Sequence, residues 1–235
     1  MPSRWDNVSV DGADMRVYVS TPDGDGPFPG VIAIQHASGV DDFVRGMCDR
    51  FAAEGFAAVS PDLYHREEPG SADDPMTRMM RLRDDTVAAD VNAAVGHAQS
   101  LPEIDGGRLG ITGYCMGGRV THLMAAKSDA FKAAVDCWGG NCLVAWGDGP
   151  APFDLTGDIS CPVLGLFGED DLAPAPTEVA KIDAEMTRLG VEHEFQSYAG
   201  AGHGFMNEGR PSYREEATRD AWRRTIDWFN RYLVA

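Results

Sequence analysis

The chain has 235 residues, of which 43% are hydrophobic, 9% aromatic and 24% charged, and its 20 Lys plus Arg against 37 Asp plus Glu give a formal charge of −17. This is a globular composition rather than a disordered one. So negative a chain repels both the phosphate backbone and anionic lipid surfaces, which argues against nucleic-acid and membrane partners.

The length fits a single domain spanning residues 1–235, since α/β folds of this size often form one unit. The opening segment, MPSRWDNVSV, lacks the apolar stretch of a secretory signal, and no run approaches the roughly 18 apolar residues needed to span a bilayer, so a cytoplasmic location is expected. The five cysteines (Cys48, Cys115, Cys137, Cys142 and Cys161) are odd in number and irregularly spaced, which excludes a disulfide framework or a CxxC metal pair; most are expected to be buried.

In chain order, apolar runs predict strands at Val8–Val10 and Met15–Val19, joined by the turn signal Asp11-Gly12 and therefore antiparallel. Further strands are expected at Val31–Ile34, Ala57–Ser60, Arg108–Thr112, Ala133–Cys137, Val163–Phe167 and Glu194–Tyr198. Amphipathic patterns predict helices over Asp42–Glu54, Pro75–Ser100, Met116–Lys127, Thr177–Leu189 and Ser212–Tyr232, the last with Trp222, Ile226, Phe229 and Leu233 at core spacing. The segment from Gly147, GDGPAPFDLTGD, reads as a surface excursion. Strand followed by helix, repeated, describes an α/β architecture: a mainly parallel sheet of about eight strands with helices on both faces.

One segment carries chemistry. RLGITGYCMGGRVTHL runs from a strand through Gly113-Tyr114-Cys115-Met116-Gly117 directly into a helix, the pattern of a nucleophile elbow. The residues two before and two after the nucleophile must be small, because side chains there collide with strand and helix, and both are glycine. The turn also places the Cys115 sulfur at the positive end of a helix, which favours thiolate over thiol. The Met116 N–H becomes a natural oxyanion donor.

Elbows of this kind take their partners in the order nucleophile, acid, histidine, each from a loop at the carboxyl edge of the sheet. Here Gly168-Glu169-Asp170-Asp171 follows one strand and Ala199-Gly200-Ala201-Gly202-His203-Gly204-Phe205 follows the next. His203 is the expected base. Asp171 is its expected orienting carboxylate, with Asp170 the competing neighbour.

The stretches VIAIQHASGV (Val31–Val40), GFAAVSPDLYHR (Gly55–Arg66), GITGYCMGGR (Gly110–Arg119), GLFGEDDLAPAP (Gly165–Pro176) and AGAGHGF (Ala199–Phe205) together resemble the dienelactone hydrolase family, a branch of the α/β-hydrolase fold with cysteine as nucleophile. The resemblance runs over nearly the whole chain. It implies an α/β-hydrolase fold, a Cys115–Asp171–His203 triad, and an oxyanion hole formed by the N–H groups of Met116 and Ala37. It also implies a small-molecule ester or lactone substrate, no cofactor, and a monomer or small homo-oligomer.

Two positions depart from the family pattern. Where type members carry a glutamate that restrains the resting thiol, this chain has His36, and a second imidazole beside Cys115 is expected to favour its ionised form and activity on neutral esters or lactones. The family's carboxylate-binding arginine would fall at Asn207, with Arg210 close by, and another lies on the helix carrying Arg78, Arg81 and Arg83. His36, Tyr64, Arg81, Trp138 and Phe205 are the candidates for contact with substrate. His122, on the elbow helix, is expected to be packed, while His97 and His193 read as surface residues and the acid pairs Asp84-Asp85 and Glu215-Glu216 as solvated faces.

No HExxH motif, His/Cys cluster or carboxylate array points to a metal. Two alternatives stand beside ester hydrolysis: a phosphotriester hydrolase using the same cysteine, and a redox-sensing or binding module built on a low-pKa Cys115.

Overall fold

The computed structural model describes residues 1–68 and 72–235. Its described strands form one eight-stranded sheet in the order β1-β2-β4-β3-β5-β6-β7-β8. They are β1 (Ser3–Val10), β2 (Ala13–Ser20), β3 (Phe28–Ile34), β4 (Ala57–Pro61), β5 (Ile104–Tyr114), β6 (Phe131–Cys137), β7 (Val163–Gly168) and β8 (His193–Tyr198). β1 pairs antiparallel with β2 from Ser3 opposite Ser20 to Val10 opposite Ala13, so Asp11-Gly12 closes the expected hairpin. β2 meets β4 antiparallel, and every pairing from β4 through β8 is parallel. The order reverses around β3, and the loops at the carboxyl ends of parallel strands near such a switch point form the natural crevice.

Alternation along the strands divides the core into two layers. On β3, Ile32 and Ile34 face one cluster, and Val31 and Ala33 face the other. The first layer receives α3 (Asp84–Ser100), α4 (Met116–Lys127) and α5 (Pro176–Leu189) through residues such as Val91, Val120 and Ile182. The second receives α1 (Asp42–Ala53) and α6 (Glu215–Phe229), where Phe51 stacks on Trp222 and Phe229 with ring centroids 4.8 and 5.9 Å apart. Asp41 caps α1 by accepting from the Val44 N–H at 3.2 Å.

Two expectations are corrected, and a third, the surface excursion from Gly147, gains detail. The pattern over Pro75–Ser100 is two helices, α2 (Pro75–Met79) and α3, with Arg83 extended between them (φ −126°, ψ 140°). The break comes from tertiary contacts: the Asp84 N–H donates to the Trp146 carbonyl at 2.7 Å, outside any helix. Asp84 itself is not solvated but 5% exposed, and paired with a fully buried Arg119. Finally, the excursion after Gly147 is anchored by a short 3-10 helix at Pro152–Asp158 whose Thr156 is buried against His122 of α4, 3.1 Å away.

His122 is packed as expected, its basicity depressed to about 4 by burial and by the nearby Arg119 charge. His97 and His193 are half-buried rather than free on the surface, and lie 2.9 and 3.2 Å from Asp6 and Asp183. Among the described residues no helix is long and apolar enough to cross a membrane.

Candidate active site

β5 delivers the chain into α4 through Cys115, whose φ of 59° and ψ of −117° lie where a non-glycine residue is strained. Only glycine fits on either side. A Cβ on Gly113 would lie 2.0 Å from the Gly117 carbonyl oxygen, and one on Gly117 would lie 2.5 Å from the Ile34 oxygen and 2.6 Å from the Gln35 oxygen. The sharp turn is therefore written by Gly-x-Cys-x-Gly, and it puts Cys115 at the N-terminus of a twelve-residue helix with its side chain partly exposed. The other four cysteines are buried. Burial pushes the Cys161 thiol up to about 12 and those of Cys48, Cys137 and Cys142 higher still.

β7 ends at Gly168, and the following turn is tied to the loop after β8 by the Asp170 N–H, which donates to the Ala201 carbonyl at 2.9 Å. This cross-brace brings the two loops into register. Asp171 is 3% exposed: its Oδ2 lies 2.9 Å from His203 Nδ1 and its Oδ1 accepts from the Ala173 N–H at 2.9 Å. Asp170 is exposed, so of the two neighbours it is Asp171 that holds the imidazole.

Burial alone would make His203 less basic. Hydrogen bonds to Asp171 and Cys115, and the charges of both, outweigh it and raise the imidazole to about 9. Ser212, which the sequence did not single out, donates its hydroxyl to the His203 carbonyl at 2.7 Å and steadies the loop.

The loop after β3 approaches from the other side. The His36 carbonyl accepts from the Gly39 N–H at 2.9 Å, and the Ala37 carbonyl accepts from the Tyr64 hydroxyl at 2.9 Å. In a trans peptide the N–H points opposite its carbonyl, so the Ala37 N–H is turned away from Gly39. Tyr64, which also lies 3.5 Å from the Met116 sulfur, is 4% exposed and braces this loop from behind instead of lining the cleft. Burial holds its hydroxyl well above the usual phenol range.

His36 borders Cys115 in a narrow cleft, but its Nε2 lies 2.8 Å from Asp41 Oδ2. Burial would raise the Asp41 carboxyl, yet the hydrogen bond and charge of His36 and the N–H groups of Val44 and Phe43 hold it below its ordinary value. The imidazole is thus engaged with its own carboxylate rather than freely facing the thiol.

The remaining candidates separate. Trp138, in a left-handed conformation (φ 46°), walls the narrow cleft, which has room for little more than one water at about 10 Å³. Asn207 and Arg210 share that cleft. Phe205 is fully buried and packs on Trp138 with centroids 5.1 Å apart, so it is a core residue, against expectation. Arg81 lies outside the cleft, half-exposed and 2.6 Å from Asp73. Arg78 lies over the Tyr64 ring at 4.0 Å and pairs with Glu67 at 2.5 Å.

The open side of Cys115 and His203 is a cavity of about 480 Å³ walled by Met76, Met79, Met116, Gly140, Asn141 and Leu172 among others. α2 supplies the first two walls and the loop after β6 supplies Gly140 and Asn141. Among the described residues no group of three or more His, Cys, Asp or Glu is arranged to hold a metal. Chemically, the arrangement offers a thiol at a helix N-terminus, a basic imidazole oriented by a buried carboxylate, and space beside them for an acyl compound.

A sequence model of the "Dienelactone hydrolase family" matches residues 15–233. A Methylorubrum extorquens protein named "Putative carboxymethylenebutenolidase" is 36% identical over 228 residues, covering 93% of this chain and 77% of that protein. A Salmonella typhimurium protein of the same name is 35% identical, covering 96% of this chain and 86% of its own. Among solved structures, a "Putative Dienelactone Hydrolase" from Klebsiella pneumoniae superposes with a TM-score of 0.90 at 33% identity, covering 98% of this chain and 99% of that one. A dienelactone hydrolase-like promiscuous phosphotriesterase from metagenomic libraries shares the fold, with a TM-score of 0.85 at 22% identity and 98% of each chain covered.

Proposed function

This chain belongs to the dienelactone hydrolase family, and from that premise we propose that it cleaves carboxylic esters or lactones, with Cys115 as nucleophile, His203 as acid and base, and Asp171 as the carboxylate that orients His203. The observation that carries the reading is the His203 imidazole, held at 2.9 Å by Asp171, raised to about 9 and lining the 480 Å³ cavity together with Cys115. A histidine this basic takes and holds the Cys115 proton as the sulfur attacks, leaving an imidazolium beside the reacting sulfur.

The sulfur attacks the carbonyl carbon, forming a C–S bond and placing the electron pair on oxygen. That oxyanion lies between the N–H groups of Met116 and Ala37. Met116 is the first residue of α4, so its N–H is left unused by the helix. Collapse breaks the C–O bond, and the departing alkoxide takes the proton from His203. Water then attacks the acyl-thioester, giving its proton to the now neutral imidazole, and the C–S bond breaks to return thiolate and acid. Asp171 fixes the tautomer throughout.

A redox-sensing role finds less support: a resolving thiol would favour it, and the other four cysteines are buried with their thiols pushed up. The test is steady-state hydrolysis of p-nitrophenyl esters and neutral lactones, with a phosphotriester as comparison. Cys115→Ala is expected to abolish ester turnover, and Asp171→Asn to lower kcat by about 10⁴, the scale of losing the oriented tautomer. Asp170→Asn should leave kcat within a factor of about three, as expected of a group outside the proton relay. Phosphotriester turnover without ester turnover would reassign the reaction; ester turnover surviving Cys115→Ala would refute it.

A further inference from the structure

The two sides of Cys115 differ in size and in charge. On one lies the narrow cleft with His36 and the exposed Arg210, about 10 Å³; on the other lies the cavity of about 480 Å³. The large side is walled by the side chains of Met76, Met79, Met116 and Leu172 and by Ala173, and among the described residues neither Arg nor Lys lines it. Its charged members besides His203 are both acidic, Asp170 and Asp171.

The arginine of α2 and the two that follow it are committed elsewhere: Arg78 to Glu67 and the Tyr64 ring, Arg81 to Asp73, and Arg83 to Asp148. Apolar surface continues out of the mouth, where Met76 is 55% exposed and Leu172 91%. Methionine thioethers on unbranched, flexible chains adapt to apolar groups of differing shape.

Resting on the ester-hydrolase reading above, we infer that this site selects neutral substrates carrying a sizeable apolar group, seated in the methionine-lined cavity, over substrates that bear a carboxylate. Among the described residues lining the cavity, a carboxylate placed there finds no Arg or Lys; the one basic group, His203, is already held by Asp171, and the carboxylate also meets Asp170 and the field of a chain with a formal charge of −17. Among the described residues lining the two sides of Cys115 the one guanidinium is Arg210, and it borders a cleft too small to admit a substrate carboxylate in this structure.

The test compares kcat/KM for p-nitrophenyl hexanoate and the p-nitrophenyl monoester of adipic acid, which share a leaving group and a chain length but differ by one terminal carboxylate. The neutral ester is expected to be preferred at least tenfold. Met76→Arg and Leu172→Arg, two changes at exposed rim positions that the fold tolerates, are each expected to narrow that ratio at least threefold by speeding the anionic ester, and added salt should reverse the gain. Equal or better use of the anionic ester, in a Cys115-dependent reaction, overturns the inference and leaves the hydrolase standing. A preference that neither arginine changes also overturns it. No Cys115-dependent turnover of either ester refutes the hydrolase reading, and the inference with it.

Discussion

Replacing Arg119 by methionine tests how the cavity wall is held. The Arg119 guanidinium has no exposure and makes four hydrogen bonds: to both Asp84 oxygens at 2.5 and 3.1 Å, to the Asn141 carbonyl at 3.1 Å and to the Val144 carbonyl at 2.5 Å. It also lies over the Trp146 ring at 3.8 Å, while the Trp146 N–H donates to Asp84 at 2.8 Å. One ion pair therefore fastens the loop carrying Asn141, a wall of the cavity, to the start of α3 and the side of α4.

Arg119→Met strands a carboxylate that is 5% exposed, and breaking such a pair from one side costs about 3–5 kcal/mol. The two carbonyls add less, because their loop can turn them to water. With an unfolding entropy of about 2.1 cal/mol/K per residue over 235 residues, a loss of about 4 kcal/mol lowers Tm by roughly 8 °C. The double variant Arg119→Met/Asp84→Leu leaves no buried charge, so it should recover at least half of that loss. Scanning calorimetry on wild type, both single variants and the double reads all four corners. A fall below about 2 °C for Arg119→Met, or a double variant as unstable as the sum of the singles, refutes the reasoning.

The glycines differ sharply in what they accept. Gly113→Ala drives a Cβ to 2.0 Å from the Gly117 oxygen and should cost at least 3 kcal/mol or prevent folding, whereas Gly96→Ala, in the exposed interior of α3 with nothing within 4 Å, should stabilise by up to about 1 kcal/mol; urea titration of both checks this. Asp136 is 3% exposed and accepts from the Gly139 N–H at 2.7 Å, but burial dominates and raises its carboxyl to about 7. The folded chain therefore binds a proton that the unfolded chain has already lost above its ordinary value near 3.8, so stability falls as pH rises from about 4 to 7. Asp136→Asn should flatten that fall in Tm measured across pH 5–8; an unchanged slope would remove Asp136 as its source. His203 works in the same direction at higher pH, its contribution to stability complete below about 6.5 and lost as pH climbs through about 9.

The architecture was readable because each strand is a short apolar run and each glycine flanking Cys115 answers a local steric demand. The order Cys115, Asp171, His203 was readable for the same reason, since each residue lies in the turn or loop that follows a strand end. What could not be read depends on partners distant in sequence. Asp84 looked like half of a solvated acid pair, but Arg119, 35 residues away, makes it a buried one, and the Trp146 carbonyl takes the N–H with which the helical pattern breaks after Arg83. The sequence favours Asp171 over Asp170, but what holds it inward, the hydrogen bond from the Asp170 N–H to the Ala201 carbonyl and that from the Ala173 N–H to Asp171, lies in the folded loops. Tyr64 and Phe205 were named as substrate contacts because aromatic residues near a motif suit a cleft wall equally well as a core, and in the folded chain both are buried. The cavity of α2 methionines gave no signal at all, since methionine at helical spacing reads as ordinary packing.

The central claim is that Cys115 carries the acyl group. Rapid mixing with a slowly hydrolysed p-nitrophenyl ester, acid quenching within the first turnover, and intact and peptide mass spectrometry test it most directly. The account predicts one added acyl mass, located on the peptide containing Cys115, formed together with a burst of nitrophenolate and absent in Cys115→Ala. Turnover with no adduct, or an adduct on any other residue, would contradict it.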